Sequence, residues 1–200
     1  MKSIGVLISG RGSNLQALID AQKAHRLGGR IAVVVSNVAG AAGLERARAA
    51  GIATEVVEKG TLTREEHDRA VIAVLRHHLV ELVCLAGYMR LLSPEFVRAY
   101  AGRILNVHPS LLPAFPGREA ARQAVEHGVK VSGATIHFVD EQLDAGPILL
   151  QQPVAVADDD DAERLAARIL EVEHALYPRA VRLVLDGRFR LEGRRVKVLG

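Results

Sequence analysis

Ser3-Ile4-Gly5-Val6-Leu7-Ile8-Ser9-Gly10-Arg11-Gly12-Ser13-Asn14-Leu15 opens the chain with a short apolar run, a glycine-rich turn and the first residues of helical spacing. A strand that feeds a helix through such a turn is half of a βαβ unit, and the pattern recurs downstream. Strands are predicted over 3–8, 30–36, 54–57, 82–85 and 103–107, with helices over 15–24, 44–50 and 64–78 between them. Gly51, after Ala49-Ala50, predicts a helix C-cap. Right-handed crossovers between such units give an α/β fold, a doubly wound and mostly parallel sheet whose ligands gather beyond the C-terminal ends of the strands.

After His108 the pattern changes. Pro109, Pro113, Pro116 and Gly117 exclude a long helix or a central strand and predict a shaped loop. A helix over about 119–127 should follow, then a strand over 131–139, a loop over 140–146 and a strand over 147–156. That loop is too short for a crossover, so the last two strands must be antiparallel. The acidic run Asp158 to Asp161 precedes Leu165, Ile169, Val172 and Leu176, which share one helical face. It reads as a charged helix start, with Asp160 and Glu163 spaced as a capping box, rather than as a metal cluster. Pro178 predicts a kink or an end near Tyr177, and residues 189–198 predict a small C-terminal hairpin.

At 200 residues, 49% hydrophobic and 24% charged, the chain can bury the core of one soluble domain. Its longest apolar runs are strand-sized, well short of the roughly 20 residues that span a bilayer. The N-terminus reaches Ser9-Gly10 too early for a signal peptide, so a cytoplasmic protein without a membrane partner is expected. Cys84 is the single cysteine, which excludes an intrachain disulfide, and within Leu82-Val83-Cys84-Leu85-Ala86 it reads as a small buried hydrophobe. The histidines lack His-x-x-x-His spacing, so no metal site is expected. A net charge of +3, scattered arginines and 4% aromatics without Trp do not make a nucleic-acid surface. They suit small anionic ligands.

Gly10 and Gly12 let backbone approach a ligand closely, and the helix that follows offers unpaired N–H groups and the positive end of its dipole. Ser36-Asn37 stand where a dinucleotide site wants an acid, and no Gly-Lys-Ser/Thr follows, so one phosphate fits better than a pyrophosphate. The other reading is a tight turn capped by Ser13 or Asn14.

If the fifth strand persists to His108, its period of two places Asn106 and His108 on one side at the sheet's ligand edge. Either residue alone would read as a satisfied buried polar group. With Asp144 they form an amide, an imidazole and a carboxylate, the set needed for an acyl transfer whose nucleophile comes from the substrate. His108 and Asn106 would donate to the oxyanion, and a neighbouring Asp144 would favour the imidazolium, keeping a proton available near neutrality. Asp144 could instead belong to an Asx-type turn before Gly146. A catalytically silent nucleotide-binding module with the same fold remains the rival from another class.

Four separated stretches, in order, carry a family resemblance: Val6-Leu7-Ile8-Ser9-Gly10-Arg11-Gly12-Ser13-Asn14-Leu15-Gln16, Leu85-Ala86-Gly87-Tyr88-Met89-Arg90-Leu91-Leu92-Ser93-Pro94, Asn106-Val107-His108-Pro109-Ser110-Leu111-Leu112-Pro113, and His137-Phe138-Val139 with Asp144-Ala145-Gly146-Pro147. Together they resemble the folate-dependent formyltransferases, and the Gly-x-Gly-Ser-Asn start resembles the glycinamide ribonucleotide formyltransferases among them. The resemblance implies a single Rossmann-like domain over 1–200, with a phosphate-binding half over 1–100 and a catalytic and folate-binding half over 101–200. It implies transfer of a formyl group from 10-formyltetrahydrofolate, a co-substrate, to the amine of 5-phosphoribosylglycinamide in purine (IMP) biosynthesis, by direct attack through a tetrahedral intermediate.

Asn106, His108 and Asp144 would be catalytic. Gly12, Ser13 and Asn14 would hold the phosphate, and Glu173 the ribose end. Met89, Arg90, Leu91 and Leu92 would form the folate pocket with Asn106 and with Asp140, Glu141, Gln142, Leu143 and Asp144, and Arg64 would meet the folate's glutamate tail. The resemblance also implies a cis Leu112–Pro113 bond and small-molecule partners, and it is compatible with a homodimer. One departure is Arg118-Glu119-Ala120-Ala121-Arg122-Gln123-Ala124, where the family often carries a histidine cluster, so imidazole contacts from this segment are not expected. Methionyl-tRNA formyltransferases and formyltetrahydrofolate hydrolases should each carry a further domain, for which this length leaves no room.

Overall fold

Residues 1–199, described by a computed structural model, alternate strand and helix through the first half of the chain. The elements are β1 (Ser3–Ile8), α1 (Ser13–Lys23), β2 (Arg30–Ser36), α2 (Ala42–Ala49), β3 (Ala53–Val56), α3 (Arg64–His77), β4 (Leu82–Leu85), α4 (Pro94–Ala99) and β5 (Ile104–His108). Then come α5 (Ala120–His127), β6 (Val131–Phe138), β7 (Ile148–Ala155), α6 (Ala162–Leu185), β8 (Phe189–Glu192) and β9 (Arg195–Val198). All strands join one sheet in the order β3-β2-β1-β4-β5-β6-β7-β9-β8. Strands β1 to β5 pair in parallel, β6 is antiparallel to both β5 and β7, and β8 and β9 form the expected hairpin. The mostly parallel, doubly wound sheet with an antiparallel C-terminal part is therefore present.

β1 shows how the two layers arise. Ile4, Val6 and Ile8 pack with residues of α1, α2, α5 and α6, whereas Leu7 packs with residues of α3 and α4. A strand covered on both faces needs apolar side chains at every position, which is why it reads as an unbroken run. Tyr177 ties α6 to the strand ends that matter most, its hydroxyl lying 3.0 Å from the carbonyls of both Leu85 and Leu105. Cys84 is fully buried, and burial pushes its thiol up to about 12, in keeping with a packing role.

Several local expectations are corrected. Helix α4 was not anticipated: Ser93 caps it by accepting from Phe96 N at 3.2 Å and Pro94 fills its first turn, but six residues are too few to show a helical period. Neither Ser13 nor Asn14 caps α1, because Gly12 does so in a left-handed conformation with φ 70° and no side-chain bond. Asp161, not Asp160, caps α6 by accepting from Arg164 N, while Asp160 accepts from Ala157 N and pairs with Arg168 at 2.7 Å. Pro178 does not end α6, which runs on to Leu185. The broken helix bond costs about 3 kcal/mol, offset by burial of Ala180, Val181 and Leu185 beyond it.

Candidate active site

β5 extends one residue further than its apolar pattern suggests and ends on His108, before Pro109. The strand's alternation sets Asn106 and His108 side by side at the C-terminal edge. Across the ladder, β6 places His137 opposite Asn106 and Thr135 opposite His108. Asn106 Nδ2 lies 3.2 Å from His137 Nε2, and His137 Nδ1 lies 3.0 Å from the Phe138 carbonyl. A carbonyl can only accept, so Nδ1 carries the proton and Nε2 accepts from the Asn106 amide. Burial holds the His137 imidazole below its ordinary value, favouring the neutral ring.

Asp144 completes the group from the loop after β6. Its Oδ2 lies 3.4 Å from His108 Nδ1 and accepts from Gly117 N at 2.8 Å, while Oδ1 lies 3.8 Å from His137 Nε2. The side chain is 8% exposed, and the backbone is left-handed with φ 49°. The alternative of an Asx turn at Asp144 is not realised, because that turn forms at Asp140, whose Oδ1 accepts from Gln142 N at 2.9 Å. Gly146 makes the return possible, since a Cβ there would stand 1.8 Å from the Phe138 carbonyl oxygen.

His108 is 4% exposed and both its ring nitrogens are engaged. Nδ1 faces Asp144, and Nε2 donates to the Phe115 carbonyl at 2.9 Å. The proline-rich loop that supplies this carbonyl is held from below: Thr135 Oγ1 donates to the Ser110 carbonyl at 2.7 Å and accepts from Leu112 N at 3.0 Å, next to a cis Leu112–Pro113 bond. The Phe115 ring meets His127 edge-on, with centroids 5.7 Å apart. Gly117, just before the segment without family histidines, contributes its backbone N–H to the site.

The glycine-rich turn lies at the switch point where β2 and β4 leave β1 on opposite sides. Ser9 ties the exits of β1 and β4 together, accepting from Met89 N at 2.8 Å while its own N–H donates to the Gly87 carbonyl at 3.1 Å. Gly12 packs against α2 so closely that a Cβ would lie 2.7 Å from Gly43 Cα. The result is a cavity of about 220 Å³ lined by Ser9, Gly12, Ser13, Asn14, Gly87 and Met89 among others, with the N-terminus of α1, which has no side-chain cap, on one wall. Asn14 Nδ2 donates to Glu173 Oε2 at 2.7 Å, and Asn14 Oδ1 is buried without a partner among the described residues. Burial pushes the Glu173 carboxyl up, partly opposed by the Asn14 bond.

The expected folate wall is apolar and open. Met89, Leu91 and Leu143 are 62%, 57% and 56% exposed, while Arg90 and Leu92 are half-buried. Arg98 of α4 reaches Glu141 at 3.3 Å, linking that helix to the Asp144 loop. Arg64 is exposed at the start of α3 and bonds its neighbour Glu65 at 3.2 Å rather than any residue of the clustered site. His137 is the member to which sequence reasoning gave no role. Its signal is the β5–β6 register, a long-range pairing that no local pattern contains.

A family model described as formyl transferase matches residues 2–181. The chain is 48% identical over 190 residues to phosphoribosylglycinamide formyltransferase of Escherichia coli (strain K12), covering 94% of this chain and 90% of the relative. It is 47% identical over 189 residues to the trifunctional purine biosynthetic protein adenosine-3 of Homo sapiens, covering 94% of this chain and 19% of that much longer protein. The crystal structure of glycinamide ribonucleotide transformylase 1 from Symbiobacterium toebii superposes with a TM-score of 0.98 at 53% identity, covering 100% of this chain and 95% of that one.

Proposed function

The chain belongs to the formyl transferase family, and from that premise we propose that it moves the formyl group of 10-formyltetrahydrofolate to the amine of 5-phosphoribosylglycinamide in purine biosynthesis. The observation that carries this reading is the convergence of Asn106, His108 and Asp144 at one rim of the sheet. The glycine-rich cavity at the same rim supports reading it as a cradle for a single phosphate.

The amine attacks the formyl carbon, and the carbonyl oxygen becomes negative in the tetrahedral intermediate. Asn106 has a second amide N–H beyond the one given to His137, and that N–H meets the oxyanion. His108 is the second donor. Its Nε2–H reaches the substrate once the Phe115 carbonyl has moved away, so the 109–119 loop shifts when substrate binds. Asp144 orients His108 through its Nδ1 while a proton passes to the departing folate nitrogen. The bond between that nitrogen and the formyl carbon then breaks, and the attacking amine loses its extra proton. No bond to the enzyme forms.

Gly12, Ser13 and Asn14 hold the phosphate in the half before residue 100, with Glu173 at the ribose end. In the other half, Asp140 to Asp144 face the folate together with Met89 to Leu92 of the middle loop, and Arg64 meets its glutamate tail. We place the enzyme in the cytoplasm with small-molecule partners and no resident metal. Among the described residues, no helix is long and apolar enough to cross a membrane.

The test mixes the protein with both substrates and follows tetrahydrofolate release. Turnover that depends on the amine is expected, whereas no release, or equal release without the amine, overturns the reading. In the same assay Asp144→Asn should lower kcat by about 10² or more with little change in folate affinity. Wild-type turnover in that variant would reduce Asp144 to a turn residue.

A further inference from the structure

Beneath the loop from Tyr88 to Ser93 lies a polar cluster that the reaction above does not use. His67 and Asp68, adjacent in the first turns of α3, are both 0% exposed, and so is Ser93. His67 Nε2 lies 2.7 Å from the Val57 carbonyl, and so fastens α3 to the chain leaving β3. Asp68 Oδ2 accepts from Ser93 N at 2.6 Å, and Oδ1 lies 3.4 Å from His67 Nδ1. Ser93 in turn caps α4. At the other end of the loop, the Tyr88 hydroxyl and Arg90 Nε are buried without hydrogen-bond partners among the described residues. Burial, and then the Asp68 charge, push the Tyr88 hydroxyl above its ordinary value, which places the carboxylate's field under Tyr88 as well as under Ser93.

A carboxylate without solvent access is costly to a fold unless its contacts do something an apolar side chain would not. The contacts here are with backbone and polar groups of one loop. That loop has no helix or strand of its own between β4 and α4, and it turns Met89 and Leu91 outward. Its shape therefore depends on its fastenings, which are Ser9 accepting from Met89 N on one side and Asp68 accepting from Ser93 N on the other.

We propose that Asp68, oriented by His67, is a positioning residue for folate binding: it fixes the Tyr88–Ser93 loop in the shape that receives the ring system of the formyl donor. The inference rests on reading Met89 to Leu92 as the folate wall. It assigns to α3, through a buried contact, a part in selecting the donor and none in binding the phosphorylated amine.

Titration calorimetry with 10-formyltetrahydrofolate on the wild type, Asp68→Asn and Asp68→Ala, together with KM for both substrates, tests it. Folate affinity should fall about tenfold in Asp68→Ala and about threefold in Asp68→Asn, whose amide oxygen still accepts from Ser93 N. KM for the amine substrate and kcat at saturation should each stay within about twofold, a split that general loss of structure would not produce. If Asp68→Ala does not fold, Asp68→Asn decides. Unchanged folate affinity in the folded variant, or an equal rise in both KM values, overturns the proposal. A wild-type protein that binds no folate refutes the folate reading of the loop instead.

Discussion

Glu173 shows how one residue can work against the fold it belongs to. It is 5% exposed in α6, bonded to Asn14 beside the glycine-rich cavity, and burial lifts its carboxyl above the ordinary value of 4.5. The folded state then holds this proton more tightly than the unfolded chain does. The contribution to stability is full below the ordinary value and is lost as pH rises through the raised one. At neutral pH the carboxyl thus weakens the fold. Glu173→Gln keeps an oxygen for Asn14 to donate to, so calorimetric melting at pH 7 to 8 should show Tm higher by about 2–4 °C, with the gain fading below about pH 4.5. A gain that does not vary with pH would rule out the buried charge as its cause. A buried carboxyl kept at such a cost beside an open cavity is consistent with the binding role proposed for it.

Elements carry the site, and the loop from Asp140 to Gly146 brings Asp144 to it. Gly146 passes so close to the end of β6 that any side chain there must displace one strand or the other. Gly146→Ala should therefore lower stability by at least about 2 kcal/mol in denaturant unfolding and reduce kcat by about tenfold or more as Asp144 loses its register with His108. Wild-type values in that variant would mean that the close approach is not maintained. Strands with both faces covered, such as β1, β2 and β4, were legible from their apolar runs, to the residue. Elements whose signal is shorter than their period were not: α4 shows only its cap, and β5 hides its last residue because His108 breaks the apolar pattern. Pro178 does not end α6, because the packing of the turns beyond it carries the helix on. Asn106, His108 and Asp144 were readable as chemistry, since the first two stand two residues apart at a predicted strand end, a proline-rich loop follows them, and the third lies in the loop between two later strands. The partner that sets the ring state of His137, and the carbonyl that occupies His108, follow from pairing and loop closure, which sequence order does not show.

At the scale of the whole molecule, β4 and β5 pair at Val83 and Ile104, so the parts of the chain before and after residue 100 share a single sheet. Hydrogen exchange should reflect this: amides of Val6, Leu7, Val83, Cys84 and Leu105, buried between helices, should open only with the whole fold, while β8 and β9 exchange much sooner. Equal protection of the hairpin, read by mass spectrometry of its peptides, would place it within the central cooperative unit. The sheet's two outer strands, β3 and β8, have four residues each, and β8 alternates an arginine and a glutamate with its apolar residues. An incoming ribbon would find few backbone groups to zip onto and unshielded charge along the seam. The molecule can thus crowd against its own copies without stacking edge to edge, and any lasting association between them falls to the surfaces of its helices and loops.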